Sequence, residues 1–126
     1  MRIVILALLL AACGAGMHQG RQPSRIERDE LATVQGRDAY EAVERLRPLW
    51  FDKRMPPDQV GEAAILVYLD GTRFGELESL RDIPLVNVES MRVLNSAEMT
   101  ALVGTEDKFI SRIIAVRSRV RDALTP

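Results

Sequence analysis

Ala64-Ile65-Leu66-Val67-Tyr68-Leu69-Asp70-Gly71-Thr72-Arg73-Phe74-Gly75 is the stretch whose reading decides the fold. Its first six residues form a continuous apolar run, the signature of a strand buried on both faces. Asp70-Gly71 follows at once and is a strong hairpin signal, so Thr72-Arg73-Phe74 reads as the return strand. Beyond the hairpin, residues 76–82 (ELESLRD) suit a short helix stopped by Ile83-Pro84. Residues 86–94 predict a strand with Val88, Arg92 and Leu94 on one face and Met91 and Val93 on the other. Ser96 is positioned to cap a short helix over 97–103, Gly104 to end it, and residues 109–116 (FISRIIAV) predict the final strand.

On the other side of the hairpin, residues 37–47 (RDAYEAVERLR) predict a helix. Asp38 is the expected cap, with Glu41 completing a capping box. Tyr40, Val43 and Leu46 or Arg47 share a side that Trp50 continues, and Glu41 and Arg45 have the spacing of a favourable i,i+4 pair. Pro48 ends or kinks this helix, and Met55-Pro56-Pro57-Asp58 is a loop. The order helix, strand, strand, helix, strand, helix, strand predicts an α+β fold: one small mixed sheet with short helices on a face.

The N-terminus carries a different message. Met1 and Arg2 give a positive start, residues 3–10 are uninterruptedly apolar, and Leu10-Ala11-Ala12-Cys13-Gly14 follows. This is the layout of a secretory signal, and the apolar run is far short of the ~20 residues that cross a bilayer as a helix. Leu10-Ala11-Ala12-Cys13 resembles the lipobox of bacterial lipoproteins. That resemblance implies cleavage before Cys13, lipid (palmitate among the acyl chains) on its thiol, and a membrane as the first partner. Gly14, in place of an acidic residue, favours the outer membrane by the family's sorting rule. The expected organisation is a signal peptide over 1–12, a lipid-anchored flexible tether over 13–30, a folded domain over 31–121 and a short tail over 122–126. The tether, with Gly14, Gly16, Gly20 and Pro23 and few sizeable apolar residues, cannot bury a core.

Composition narrows the functional classes. The chain has 126 residues, 47% hydrophobic and 28% charged, with net charge −1, which suits one folded domain and leaves no basic footprint for nucleic acid. One cysteine excludes an internal disulfide. The only histidine, His18, falls in the tether, where a catalytic base would lack fixed geometry. Asp58 with Glu62 and Glu106 with Asp107 are carboxylate pairs in polar loops, where solvated surface charge is the ordinary role. No metal-ligand cluster, phosphate-cradling glycine loop or nucleophile elbow occurs in the sequence, so the reading is a non-enzyme with no cofactor and no metal.

Several segments together resemble the plug domain of TonB-dependent receptors. Residues 65–75 are similar to the plug hairpin "V-x-V-D-G-x-x-x-G". Leu80-Arg81-Asp82-Ile83-Pro84 followed by Val88-Glu89-Ser90-Met91-Arg92-Val93-Leu94 is similar to "L-x-x-I-P-x-x-x-V-E-x-I-x-V-L". Ala101-Leu102-Val103-Gly104 resembles the "A-x-x-G" helix end, and residues 110–117 the closing "G-x-I-x-V-x-T" strand. The resemblance covers roughly residues 38–117 and implies a plug-like fold in the cell envelope. It departs in three ways: these 126 residues hold no barrel, no TonB box stands in the tether, and Thr105-Glu106-Asp107-Lys108-Phe109 replaces a glycine-rich stretch. Receptor activity is therefore not implied. The expectation is a lipid-anchored accessory or interaction module of an outer-membrane barrel or other envelope assembly. Its contacts are expected from the loops over 56–61 and 73–78, with Asp58, Gln59, Arg73, Phe74 and Glu76 as candidates. The alternative is a small-ligand binder with a pocket lined by Trp50, Tyr68 and Phe74.

Overall fold

The computed structural model describes residues 23–53, 58, 63–104 and 109–119. Along the chain these form β1 (Arg25–Ile26), α1 (Arg28–Leu31), α2 (Ala39–Leu46), β2 (Ala64–Leu69), β3 (Thr72–Glu76), β4 (Val88–Val93), α3 (Ser96–Val103) and β5 (Ile110–Ser118). Short 3-10 helices cover Pro48–Phe51, Leu77–Asp82 and Leu85–Asn87. The strands make one five-stranded mixed sheet in the order β1-β4-β5-β2-β3, in which only β2 and β5 run parallel. The α+β class is as the sequence predicts.

β2 explains why the sheet has two covered faces. Ile65 and Val67 enter one core while Leu66 and Tyr68 enter another, because successive side chains of a strand point to opposite faces. The first core is the larger, with sixteen buried residues against four among those described, and α1, α2 and the 3-10 helices close it. At about 1.5–3 kcal/mol per fully buried large aliphatic side chain, this first face carries most of the stability. The second core is Leu66, Tyr68, Leu94 and Ile113, over which α3 places Met99 and Val103. The helices thus divide unequally between the faces instead of sharing one.

Three local expectations change. The cap of α3 is Asn95, not Ser96: its side chain accepts from Glu98 N, and the Glu98 carboxylate accepts from Asn95 N, a complete capping box. At α2, Asp38 does accept from Glu41 N, yet the Glu41 carboxylate reaches back one residue further, to Arg37 N at 2.9 Å. It also lies 3.7 Å from Arg37 Nε, while Arg45 turns to the carbonyl of Gln35. In β4 the register shifts between Val88 and Ser90. One extra residue there moves Val88 to the face of Met91 and Val93, so Val88 and Met91 share the first core and Leu94 stays on the second.

The largest correction concerns the expected tether, whose last residues belong to the fold. Ile26 is fully buried, and Arg25 and Ile26 pair with Arg92 and Met91 of β4. Ser24 O accepts from Val93 N, and Pro23 O accepts from Trp50 Nε1 at 2.9 Å. Arg47, only 9% exposed, donates through Nη2 to both Arg25 O and Glu30 Oε1 at 2.8 Å, and through Nη1 to Leu46 O. Composition hid this, since Pro23 to Glu30 offers one large apolar side chain, and that one enters the core. Residues 1–22 and 120–126, and with them the expected signal peptide, Cys13, His18 and the expected tail, lie outside the described residues.

Breaking the Arg47–Glu30 pair from one side strands a poorly hydrated carboxylate, which costs about 3–5 kcal/mol in such settings. Arg47→Met is therefore expected to lower urea-unfolding stability by that amount. Arg47→Met combined with Glu30→Met is expected to recover more than half of the loss, so a single substitution costing under about 1 kcal/mol would refute the clamp.

Candidate functional site

Two surfaces collect polar or exposed apolar side chains: the edge strand β3 and a cleft on the thinly covered face. β3 exists because Asp70 (φ 50°) and Gly71 (φ 85°) both take positive φ, the backbone of a two-residue hairpin turn. Asp70 has a second task. Its carboxylate accepts from Ser118 N at 2.9 Å and Ser118 Oγ at 2.6 Å, tying the turn to the end of β5. The residue is structural, as turn chemistry implied.

Within β3 the register slips, since Val67 faces Gly75 and Tyr68 faces Arg73. Phe74 is the extra residue of a β-bulge and is 42% exposed. Arg73 and Glu76 flank it, also exposed. Gly75 lies against the 3-10 helix Leu77–Asp82, where an added Cβ would meet Ser79 Cβ at 2.9 Å. Three of the expected contact residues, Arg73, Phe74 and Glu76, therefore share one edge. Asp58 is exposed, with no hydrogen bond or ion pair to another described residue, and Gln59, Glu62, Glu106 and Asp107 lie outside the described residues.

The aromatic trio does not converge. Trp50 belongs to the first core, Tyr68 to the second on the opposite side of the sheet, and Phe74 to the surface. Tyr40 instead stacks with Phe51, ring centroids 4.7 Å apart, and Arg81 lies 3.9 Å over the Tyr40 ring.

The cleft holds residues that the sequence did not single out as a site. About 420 Å³ in volume, it is floored by Tyr68, Leu94 and Ala115 and walled by Arg25, Arg92, Arg117 and Leu102. A neighbouring hollow of about 400 Å³ shares Arg25, Arg92 and Leu94 and runs past Ser24 to Glu98. Arg92 Nη1 donates to both carboxylate oxygens of Glu98, at 2.9 and 3.0 Å, and Arg25 Nε pairs with Glu27 at 2.9 Å. The Asn95 N–H first, and then Arg92, hold the Glu98 carboxyl below its ordinary value. The backbone N–H of Arg37 does the same for Glu41. The faint signal for the cleft was the placement of Arg92 and Leu94 on one strand face. Arg25 was concealed by its place in a segment that looked like tether.

Among the described residues, no group of three or more His, Cys, Asp or Glu is placed to hold a metal ion, and no helix is long and apolar enough to cross a membrane. No protein-family model, curated protein or solved structure matches the chain.

Gly75→Ala is expected to destabilise the domain by about 1–3 kcal/mol, the usual cost of overpacking. Adding Ser79→Gly is expected to return part of it, measured by chemical unfolding. A Gly75→Ala chain as stable as wild type would remove the close-approach argument. The lowered pKa of Glu98 gives a signed pH dependence. Its stabilisation is present above the unfolded value of about 4.5 and is lost as pH falls from there through the lower folded value. Between pH 6 and 3, the melting temperature of Glu98→Gln is expected to fall less than that of wild type. Parallel curves would mean that Glu98 contributes nothing.

Proposed function

We propose that the protein is a lipid-anchored, non-catalytic interaction module of the bacterial cell envelope that serves an outer-membrane barrel or assembly. The lipobox-like Leu10-Ala11-Ala12-Cys13 supports the anchor, and the plug-like motif order supports the envelope setting. The observation that carries the contact role is Phe74. An aromatic ring on a bulged edge strand, between an exposed arginine and an exposed glutamate, has the composition of an interface anchor with a polar rim. The bulge also fits a controlled contact, because an edge interrupted by an extra residue resists indiscriminate strand addition while still presenting a side chain. The small-ligand alternative loses its motivating pocket, since Trp50, Tyr68 and Phe74 occupy three different environments.

In-cell crosslinking with identification of recovered proteins tests this reading. A specific envelope protein is expected with wild type, and is expected to be lost with Cys13→Ser. Phe74→Ala is expected to weaken the interaction by about 2 kcal/mol, the threshold of an interface hot spot and roughly 30-fold in affinity. Unchanged recovery with Phe74, Arg73 and Glu76 all replaced by alanine would sink the contact assignment.

A further inference from the structure

We infer that the arginine-walled cleft and the outer side of α3 form a membrane-facing surface that seats anionic lipid headgroups. The inference rests on the anchored reading above. It begins from chain length: nine residues separate Cys13 from Pro23. Whatever path they take, at most about 3.3–3.6 Å per residue is available, so Pro23 lies within roughly 35 Å of the lipidated cysteine. Pro23 and Ser24 are fixed to the fold by hydrogen bonds from Trp50 Nε1 and Val93 N. The anchored chain therefore meets the domain beside the cleft, for Arg25 lines it and Ser24 lines the hollow next to it.

The chemistry around that entry point is suited to a bilayer interface. Arg25, Arg92 and Arg117 come from β1, β4 and β5, three adjacent strands, and their side chains share one hollow. Arg92 and Arg25 each bind one carboxylate, yet a guanidinium carries five N–H donors in a planar fork suited to phosphate. Their side chains are 44% and 49% exposed. The remaining acid of the lining, Asp70, has its carboxylate engaged by Ser118. Next to the arginines, α3 turns outward Ser96, Ala97, Thr100, Ala101 and Leu102, none of them charged. Its single charged residue, Glu98, points to Arg92 and Asn95. A solvent-facing helix ordinarily carries charge on its outer side. One that is uncharged, shows a leucine 48% exposed and borders arginines has the make-up of an interfacial helix. Negative headgroups complement the arginines, and the acyl boundary accepts Leu102.

The test uses the full lipidated chain in vesicles of phosphatidylethanolamine with or without phosphatidylglycerol. Nitroxide labels are placed at Leu102→Cys or, on the layer over the other face, at Val86→Cys, while mass spectrometry reads the state of Cys13. The label at 102 is expected to be shielded from an aqueous relaxant at least about fivefold more than the label at 86, and only with phosphatidylglycerol present. Each of Arg25→Gln, Arg92→Gln and Arg117→Gln is expected to reduce that partition roughly fivefold, with circular dichroism reporting that each variant folds. A water-exposed label at 102 in a chain whose Cys13 carries lipid overturns the surface and leaves the anchor standing. A shielded label with unmodified Cys13 keeps the surface and removes the anchor. Thermal stabilisation by millimolar glycerol phosphate with the label still in water makes the cleft a small-anion site and overturns the membrane assignment.

Discussion

The guanidinium of Arg47 is the constraint on which the arrangement of this domain depends. It sits where α2 gives way to the 3-10 helix Pro48–Phe51, nearly out of solvent, and binds Arg25 O, Glu30 Oε1 and Leu46 O together. A buried cation is tolerable only when its donors are satisfied, and here two of these partners, Arg25 O and Glu30 Oε1, belong to the N-terminal segment. That segment consequently cannot leave without stranding a charge. Held in place, it adds β1 to the edge of β4, seals Ile26 into the core and sets Arg25 at the mouth of the cleft. One polar contact thus links the stability of the larger core to the position of the surface residues.

Under the proposed lipid anchor, the same clamp would change the mechanics of attachment. A chain free to residue 30 would hold the domain at a root-mean-square distance on the order of 20–25 Å from its lipid. Fixed from Pro23 onward, the connection would be shorter by about a quarter on the same measure and would leave the domain at one defined place. Orientation would then become a property of the fold, because the chain enters beside the arginine cleft along the edge of β4. The bulged edge β3, at the opposite end of the strand order from β1, is carried away from that entry point by the width of the sheet. At about 4.8 Å per strand spacing, the two edges lie on the order of 19 Å apart. The edge proposed for anchoring and the edge proposed for contact are thereby separated on one small body.

Much of this was legible in the sequence, for identifiable reasons. The run Ile65 to Leu69 declared an interior strand because a residue buried on either face must be apolar, and Asp70-Gly71 declared its turn because both residues take positive φ. The edge position of Arg73, Phe74 and Glu76 followed from that hairpin. Other features were illegible because they depend on contacts distant in sequence. Nothing local announces that Ile26 is core, since one buried side chain gives no periodicity. The bulge between Val88 and Ser90, which moves Val88 to the other face, is set by its pairing with β5. The cap of α3 was misjudged by one residue because Asn95 and Ser96 both suit the position, and the reciprocal bond from Glu98 decides for Asn95. The cleft escaped for the same reason as β1: its arginines are far apart in the chain, and only the strand order β1-β4-β5 makes them neighbours.

The unequal covering of the two sheet faces gives these observations a common cause. Among the described residues, sixteen buried ones stabilise the first face, so the second, with four, is under less demand to close completely. A single two-turn helix can roof it. Beside a roof this small Tyr68, Leu94 and Ala115 line a cleft, which is how it comes to have an apolar floor. The strands that supply the floor also supply its arginines, because residues at alternate positions share a face. Arg92 and Leu94 of the β4 segment, and Ala115 and Arg117 of β5, are such pairs. A sheet buried equally on both sides would have required apolar residues in place of those arginines. The surface at the cleft is therefore what the fold can present once its larger core has made the second face available.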